Sequence, residues 1–155
     1  MNKLITLRPI GTVSSTRDTP IDDDWDAIPA HIDLDADQFT AEALMGLDAF
    51  SHCEILFLFD RVPDEKIETG ARHPRGREDW PRIGIFAQRG KNRPNRIGLT
   101  TCRIVSVEGL RLTLTGLDAI DGTPVLDIKP VMSGFAPRGD FLEPDWSKEI
   151  MAGYW

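Results

Sequence analysis

Apolar residues in this chain fall in short alternating runs or compact blocks, with turn residues between them. Residues 30–35, AHIDLD, alternate Ile32 and Leu34 with His31, Asp33 and Asp35. Strand side chains point to opposite faces in turn, so this pattern predicts a half-buried strand. LRPIGTV, ending at Val13, predicts a first strand behind Pro9. His52 to Phe59, HCEILFLF, is almost continuously apolar after Glu54. A buried helix is the other reading of such a run, but its length suits a central strand buried on both faces. Ile83–Ala87 and Val125–Lys129 predict two more strands. Leu99–Val107 and Leu110–Thr115 flank Glu108-Gly109 and predict a hairpin.

Helical signals are few. Thr40–Met45 predicts a short helix, with Thr40 as its cap and Gly46 as its stop. Trp146–Met151 predicts a last helical turn capped by Asp145. Residues Asp60–Arg82 are polar, aperiodic and broken by prolines, which predicts a long functional loop. About seven short strands with turns between them predict a mainly β fold, an antiparallel sandwich or barrel. The strands do not alternate with long helices, which argues against a doubly wound parallel sheet. No Gly-x-Gly-x-x-Gly joins a strand to a helix, so the usual dinucleotide cradle is missing.

Composition narrows the picture without redrawing it. The 155 residues fit one domain spanning 1–155, and 13 Gly with 11 Pro match a chain of many turns. No apolar run approaches the roughly 20 residues of a membrane span. The start, MNKLITLRPIG, has no signal-peptide pattern, so a cytoplasmic location is expected. Cys53 and Cys102 sit in apolar runs and are expected to be buried free thiols. His31, His52 and His73 are dispersed and no Cys-x-x-Cys occurs, so no metal site is expected.

Charge is uneven within a net of -7. Asp18, Asp22, Asp23, Asp24 and Asp26 form an acidic block, while Arg72, Arg75, Arg77, Arg82, Arg89, Arg93 and Arg96 fall in a later basic region. The balance argues against a general nucleic-acid coat protein but leaves room for one basic face. The acidic block reads as a solvated loop or as a selector for a cationic substrate.

Two segments carry candidate chemistry. In IGIFAQRGKNRPNRIGLTT, Gly90 permits unusual backbone angles and Pro94 restricts its own φ and the residue before it. This pre-shaped loop presents Arg89, Arg93 and the amide of Asn95. Guanidinium forks match carboxylate or phosphate, so the loop is either an anion site or a solvated basic turn. In GLDAIDGTPVLDIKP, Asp121-Gly122 marks a turn. Asp127 and Lys129 share one strand face, with Leu126 and Ile128 on the other toward the core. The charged pair reads as a surface salt bridge or as a catalytic pair.

These segments also carry a resemblance. FAQR-GKN-RPNRIGL resembles the F-A-x-R-(three residues)-R-P-N-x-I-G signature of the TsaA-like family, also called YaeB-like or TrmO-like. LDAIDGTPVLDIKP resembles its L-D-x-x-D-G-T-P-V-x-D-I-K-P segment, and GLDAFSHCEILF its G-L-x-x-F-S-H-x-x-I-L-F segment. RPIGTVSS resembles its first strand. The matches run in order from Arg8 to Pro130.

The resemblance implies a small antiparallel β-barrel that binds S-adenosylmethionine, usually as a homodimer with the cofactor near the subunit boundary. It implies methylation of the exocyclic amine of a hypermodified adenine beside the tRNA anticodon. By the family's motifs, Arg89, Leu99 and the turn Asp121, Gly122, Thr123, Pro124 are expected at the cofactor. Asp60 and Arg61 fall where the family has a contacting pair, with Asp60 in place of the usual His. The chain departs at TPIDDDW (Thr19–Trp25), where the family often has Pro-Arg-Gln, at Val131 for a common Tyr, and at Gly90 for a common Ser or Ala. Longer members add a C-terminal domain, and this sequence is expected to hold the barrel alone.

Methyl transfer from a sulfonium needs no covalent enzyme intermediate; positioning and exclusion of water carry it. Asp127 is the expected proton acceptor for the amine, held by Lys129. Arg93, Asn95 and Arg96, with Lys91, are expected on the substrate side, and the Arg72–Arg82 region would extend that patch. Competing readings are a methyltransferase for a small molecule or another RNA, a non-enzymatic SAM-binding module, and an interaction domain with a vestigial pocket.

Overall fold

The structure is a computed structural model that describes residues 3–155. Its strands are β1 (Gly11–Ser15), β2 (Ala30–Leu34), β3 (His52–Leu58), β4 (Ala71–Arg72), β5 (Ile83–Gly84), β6 (Ile97–Glu108), β7 (Arg111–Thr115) and β8 (Pro124–Pro130). Six of them close into an antiparallel barrel in the order β1-β2-β7-β6-β3-β8, and β4 pairs with β5 in a separate ribbon. The predicted β-barrel class is the observed one.

Period-two alternation builds the core. Val13, Ile32, Cys53, Ile55, Phe57, Cys102, Leu112, Leu114 and Val125 point inward and are almost fully buried. The hydrophobic effect rewards this arrangement because a small closed barrel has room for side chains only. Cys53 and Cys102 lie opposite each other on β3 and β6, both buried and both free. Burial pushes the Cys53 thiol up to about 12 and raises Cys102 as well, so neither offers a thiolate.

Several expectations are corrected. β3 is buried on one face only: Cys53, Ile55 and Phe57 face the core, while His52, Glu54, Leu56 and Leu58 are half-exposed. It is central because β6 and β8 pair with its two edges. Leu126 does not share the core with Ile128. A register shift sets Leu56 opposite Asp127 but Phe57 opposite Val125, so β8 bulges between Val125 and Asp127. A bulge adds one residue and changes the phase of the strand. Val125 and Ile128 therefore face inward, and Leu126 stays half-exposed.

β1 begins two residues beyond Pro9 and runs past Val13 to Ser15. The expected strand Ile83–Ala87 stops at Gly84, where Ile85–Ala87 turns as a single 3₁₀ segment. Residues 41–44 likewise form one 3₁₀ turn, and Thr40 makes no side-chain cap. Gly46 follows at φ 87. The C-terminal helix α1 is Asp145–Ile150, with Pro144 at the cap position, so Asp145 is its first residue and not its cap. The Asp60–Arg82 loop is not bare: it carries 3₁₀ turns at Asp64–Lys66 and Pro74–Gly76 and supplies β4. The β6–β7 hairpin is as predicted. Glu108 pairs with Arg111, and Gly109 takes φ 60 as the first of the two loop residues, the position that needs positive φ in a type II′ turn.

Gly98 shows how tightly the barrel closes. A Cβ there would lie 2.5 Å from two ring carbons of Phe57, which is itself 1% exposed. Gly98→Val is therefore expected to destabilise the protein by about 1–3 kcal/mol through overpacking. Urea unfolding checks this, and an unchanged midpoint would show that Phe57 has room to move.

Candidate functional site

One end of the barrel gathers the end of β3, the start of β6 and the start of β8, as their register requires. The turn before β8 is built from the backbone. Gly122 sits at φ 81, a conformation that favours glycine. Asp121 N–H donates to the Arg17 carbonyl (2.7 Å), Gly122 N–H to the Val13 carbonyl (2.9 Å) and Thr123 N–H to the Ile120 carbonyl (3.2 Å). The turn thus continues the β1–β8 pairing beyond the strands. Asp121 Oδ1 accepts the Ser15 N–H at 3.0 Å. Thr123 is buried, and its carbonyl accepts the Val13 N–H at 2.9 Å.

Arg61 straps this turn to the N-terminal acidic segment. Its Nη1 donates to the Asp18 carbonyl (2.9 Å) and its Nη2 to the Asp121 carbonyl (3.1 Å). Asp60 beside it is exposed. The preceding residue, Phe59, donates its N–H to the Arg96 carbonyl at 2.8 Å, which ties the segment to the basic loop.

The basic loop is organised by Gln88, a residue that the sequence reading did not single out. Gln88 is buried, and its Nε2 donates to the carbonyls of Arg72 (3.2 Å) and Ile83 (3.0 Å). Arg93 turns back into the loop and donates from Nη1 to the Gln88 carbonyl at 2.7 Å. A Cβ on Gly90 would lie 2.7 Å from Arg72 Nη2, so the chain passes close to that guanidinium. Arg89 is exposed and donates from Nη2 to the Leu99 carbonyl on β6. Asn95 and Arg96 both hold positive φ, at 61 and 52. Asn tolerates this conformation, but Arg does so at a cost, and such strain concentrates at functional sites. Asn95, Arg96 and Ile67 line a cavity of about 370 Å³, and Arg96 pairs with Asp64.

Asp127 and Lys129 stand on the outer wall. Lys129 Nζ lies 3.0 Å from Asp127 Oδ2, and both side chains are about half exposed. Such a pair adds little stability. The Ile128 N–H donates to Asp127 Oδ1 at 2.9 Å and fixes that carboxylate. Leu99, Leu56 and Asp127 form one cross-strand row. Two strand spacings put the backbones of Leu99 and Asp127 about 10 Å apart. Glu54 lies opposite Lys129 in the next row; the alternation of β3 was the signal that would have placed it there.

The acidic block is folded rather than free. Arg17 donates to the carbonyls of Asp23 (2.9 Å) and Asp24 (2.8 Å), and its guanidinium lies 4.1 Å from the centre of the Trp25 ring. Asp23 pairs with Arg75 at 2.9 Å. Asp118 accepts from both the Thr100 and Tyr154 hydroxyls. Burial, then the neighbouring Asp118 charge, raises the Tyr154 hydroxyl above its ordinary value and keeps it a donor. Among the described residues, no group of His, Cys, Asp and Glu could hold a metal ion, and no helix is long and apolar enough to cross a membrane.

Residues 11–136 match the family described as tRNA-methyltransferase O N-terminal domain. The chain belongs to this family. The human tRNA (adenine(37)-N6)-methyltransferase is 40% identical over 102 residues, which are 66% of this chain and 23% of that protein. A probable S-adenosyl-L-methionine-binding protein of Pyrococcus abyssi is 34% identical over 138 residues, covering 87% of this chain and 72% of its own length. The crystal structure of TrmO from Pseudomonas aeruginosa matches with a TM-score of 0.74 at 30% identity, over 93% of this chain and 62% of that one. The chain thus spans about a quarter of the length of the human relative. TrmO-like membership and the closed barrel agree, and both fit the motif order read from the sequence.

The Arg93 contact makes a test of the loop. Arg93→Ala removes the donor to the Gln88 carbonyl and is expected to speed amide exchange across residues 88–96. Global stability should fall by about 1 kcal/mol at most, since only one loop bond is lost. Exchange read by mass spectrometry checks this; unchanged protection in the loop would show that Gln88 alone holds it.

Proposed function

We propose that the protein is a SAM-dependent methyltransferase acting on the exocyclic N6 amine of the adenine beside the tRNA anticodon. The observation that carries this reading is the TrmO-family match over residues 11–136, within which Arg89 meets the Leu99 carbonyl and Arg61 the Asp121 carbonyl. An exposed guanidinium, Arg89, lies on the outer wall near Leu99, and the Asp121 carboxylate stands at the turn before β8. A zwitterionic amino-acid group needs both signs.

The residues fit the cofactor. Asp121 is exposed, and the described residues give only its Oδ1 a partner, Ser15 N–H, leaving Oδ2 free for an ammonium. Gly122 keeps the turn open, because the nearest atom to its absent Cβ is Arg61 Nη2 at 3.8 Å. Arg89 would take the carboxylate, and Asp121 the amine. Leu99 and Pro124 would flank the adenine, with Thr123 buried behind them to fix the turn. Asp60 adds a second carboxylate, and Arg61 holds the turn in place. When bound, the cofactor supplies an electrophilic methyl on sulfur.

Asp127 would accept the proton that the substrate amine loses, and Lys129 at 3.0 Å orients that carboxylate. Asn95 and Arg96 at the loop cavity would meet the RNA, with Lys91 beside them, while Arg93 preserves the loop's shape. A homodimer is part of the reading. Residues 131–144 form an exposed arm in which Phe135 is 88%, Phe141 68% and Leu142 92% exposed, and a second copy of the chain would cover it. The cytoplasm is the compartment where tRNA meets the enzyme. The name of the Pyrococcus relative favours a narrower second reading, a SAM-binding protein without the tRNA activity.

Incubation with labelled SAM and total tRNA from a strain lacking its own enzyme is expected to place label in adenine. Tight SAM binding with no label in tRNA would sink the substrate reading. No calorimetric heat at millimolar SAM would sink the cofactor reading as well. Asp127→Asn is expected to lower turnover by about 10²-fold with SAM affinity retained. Arg89→Ala should weaken SAM by roughly tenfold, the worth of one charge-assisted bond. Equal loss of SAM affinity in both variants would refute this division of roles.

A further inference from the structure

A second hollow, of about 470 Å³, opens on the outer wall where β6 meets β7 and the start of β3. Asp26, His52, Thr101, Arg103 and Trp155 line it, and none of them is among the residues placed at the cofactor or the basic loop. We infer that this hollow is a subsite for one nucleotide of single-stranded RNA, next to the methyl-transfer site; the inference rests on the tRNA reading above.

The register explains how these side chains meet. His52 lies opposite Arg103, and Arg103 opposite Thr115. Thr101 and Arg103 are exposed, whereas Cys102 between them points into the core. Leu99, Thr101 and Arg103 are thus successive outward positions of one strand. At about 3.3 Å per residue, Arg103 lies about 13 Å along β6 from Leu99. The hollow and the cofactor end therefore share one strand face.

The lining matches a base, a ribose and a phosphate. Trp155 is 45% exposed and offers an indole face. Its ring lies against Gly116, with one carbon 4.0 Å from where a Cβ would stand there. Tyr154 braces it edge-on at 4.9 Å between ring centres. Tyr154 is tied in turn to the barrel, because its hydroxyl donates to Asp118 and its carbonyl accepts the Trp25 N–H at 3.0 Å. The stacking surface is thereby held in place before anything binds, which lowers the entropic cost of binding. Bases stack on such faces in single-stranded RNA recognition.

Arg103 makes no side-chain hydrogen bond or ion pair with any of the described residues. Its guanidinium is free to take a phosphate. His52 spends Nδ1 on the Ser51 hydroxyl at 2.7 Å, which leaves Nε2 for the same task. Asp26, whose Oδ1 lies 3.3 Å from where a Cβ on Gly116 would stand, is an acceptor suited to a base amine or the 2′-hydroxyl that marks RNA. One planar cation, one aromatic face and one acceptor around a single hollow favour a nucleotide over an apolar protein segment.

The test titrates the full chain with a fluorescent single-stranded RNA of the anticodon-loop sequence, in the presence of SAM. Trp155→Ala is expected to weaken RNA binding about tenfold or more, and Trp155→Phe to keep most of the affinity. Arg103→Ala is expected to weaken it and to lower the slope of log affinity against log salt by about one. SAM affinity, read by calorimetry, should stay within twofold in all three variants. Wild-type binding with unchanged affinity in Trp155→Ala and Arg103→Ala would overturn the subsite and leave the tRNA reading standing. Failure of the wild type to bind RNA at all would overturn both. If free AMP binds as tightly as the RNA and depends equally on Trp155, the hollow serves a mononucleotide and the RNA assignment falls.

Discussion

The ring of Phe57 fills the space that a side chain on Gly98 would occupy, and Val125 closes the other side of the same row. Much of the candidate site depends on this contact. A residue larger than glycine at 98 would push β6 away from β3, and the basic loop enters β6 just before that position. The β8 bulge falls beside the same ring, between the partners of Leu56 and Phe57. Because the bulge changes the phase of the strand, Val125 packs against the core while Asp127 points out. Without it, strict alternation would put Asp127 on the same face as Val125, where an unpaired carboxylate costs several kcal/mol. The core row and the candidate catalytic carboxylate are therefore one constraint.

A second constraint is the satisfaction of polar groups in the loop. The segment from Gln88 to Gly98 has no strand partner until Ile97, so its backbone needs other partners. Arg93 supplies one to the Gln88 carbonyl, and the N–H groups of Glu68 and Phe59 meet the carbonyls of Asn92 and Arg96, while the Gln88 amide anchors the loop to carbonyls of the β4–β5 ribbon. Held in this way, the chain sustains positive φ at Asn95 and Arg96 in succession. Strain of order 1–3 kcal/mol per such residue persists only where surrounding contacts fix it.

The strands were legible in the sequence because alternation is a physical consequence of one buried face; it left sandwich and barrel open, and the family motifs pointed to the barrel. Ile32 and Leu34 against His31 and Asp33 identify β2 directly, and the Gly109 turn identifies the hairpin. The bulge was not legible, because VLDIK reads as plain alternation with Leu126 and Ile128 inward, and only the pairing with β3 shows that Val125 and Ile128 are the inward residues. Two-residue strands such as β4 and β5 are too short to show any period. At the site, two contacts join motif residues, Arg61 with the Asp121 carbonyl and Arg89 with the Leu99 carbonyl. What holds them was hidden. Gln88 looks like an ordinary polar residue in a loop, and Asp118 joins Thr100 to Tyr154 across distances in sequence that no local pattern spans.

Charge is where composition misled most. The later half of the chain looks basic, yet many of its arginines are already partnered: Arg75 with Asp23, Arg77 with Asp79, Arg96 with Asp64 and Arg111 with Asp33. The acidic block is likewise consumed in part, since Asp23 is the partner of Arg75. Arg82, Lys91 and Arg103 have no side-chain partner among the described residues. A chain with a net charge of -7 gathers little affinity from phosphates alone. An RNA substrate would therefore be held by shape and stacking, in hollows such as those beside Asn95 and Trp155, more than by a count of neutralised charges. Placement of the target base would then depend on the same Phe57 row that fixes β6, because both hollows border that strand.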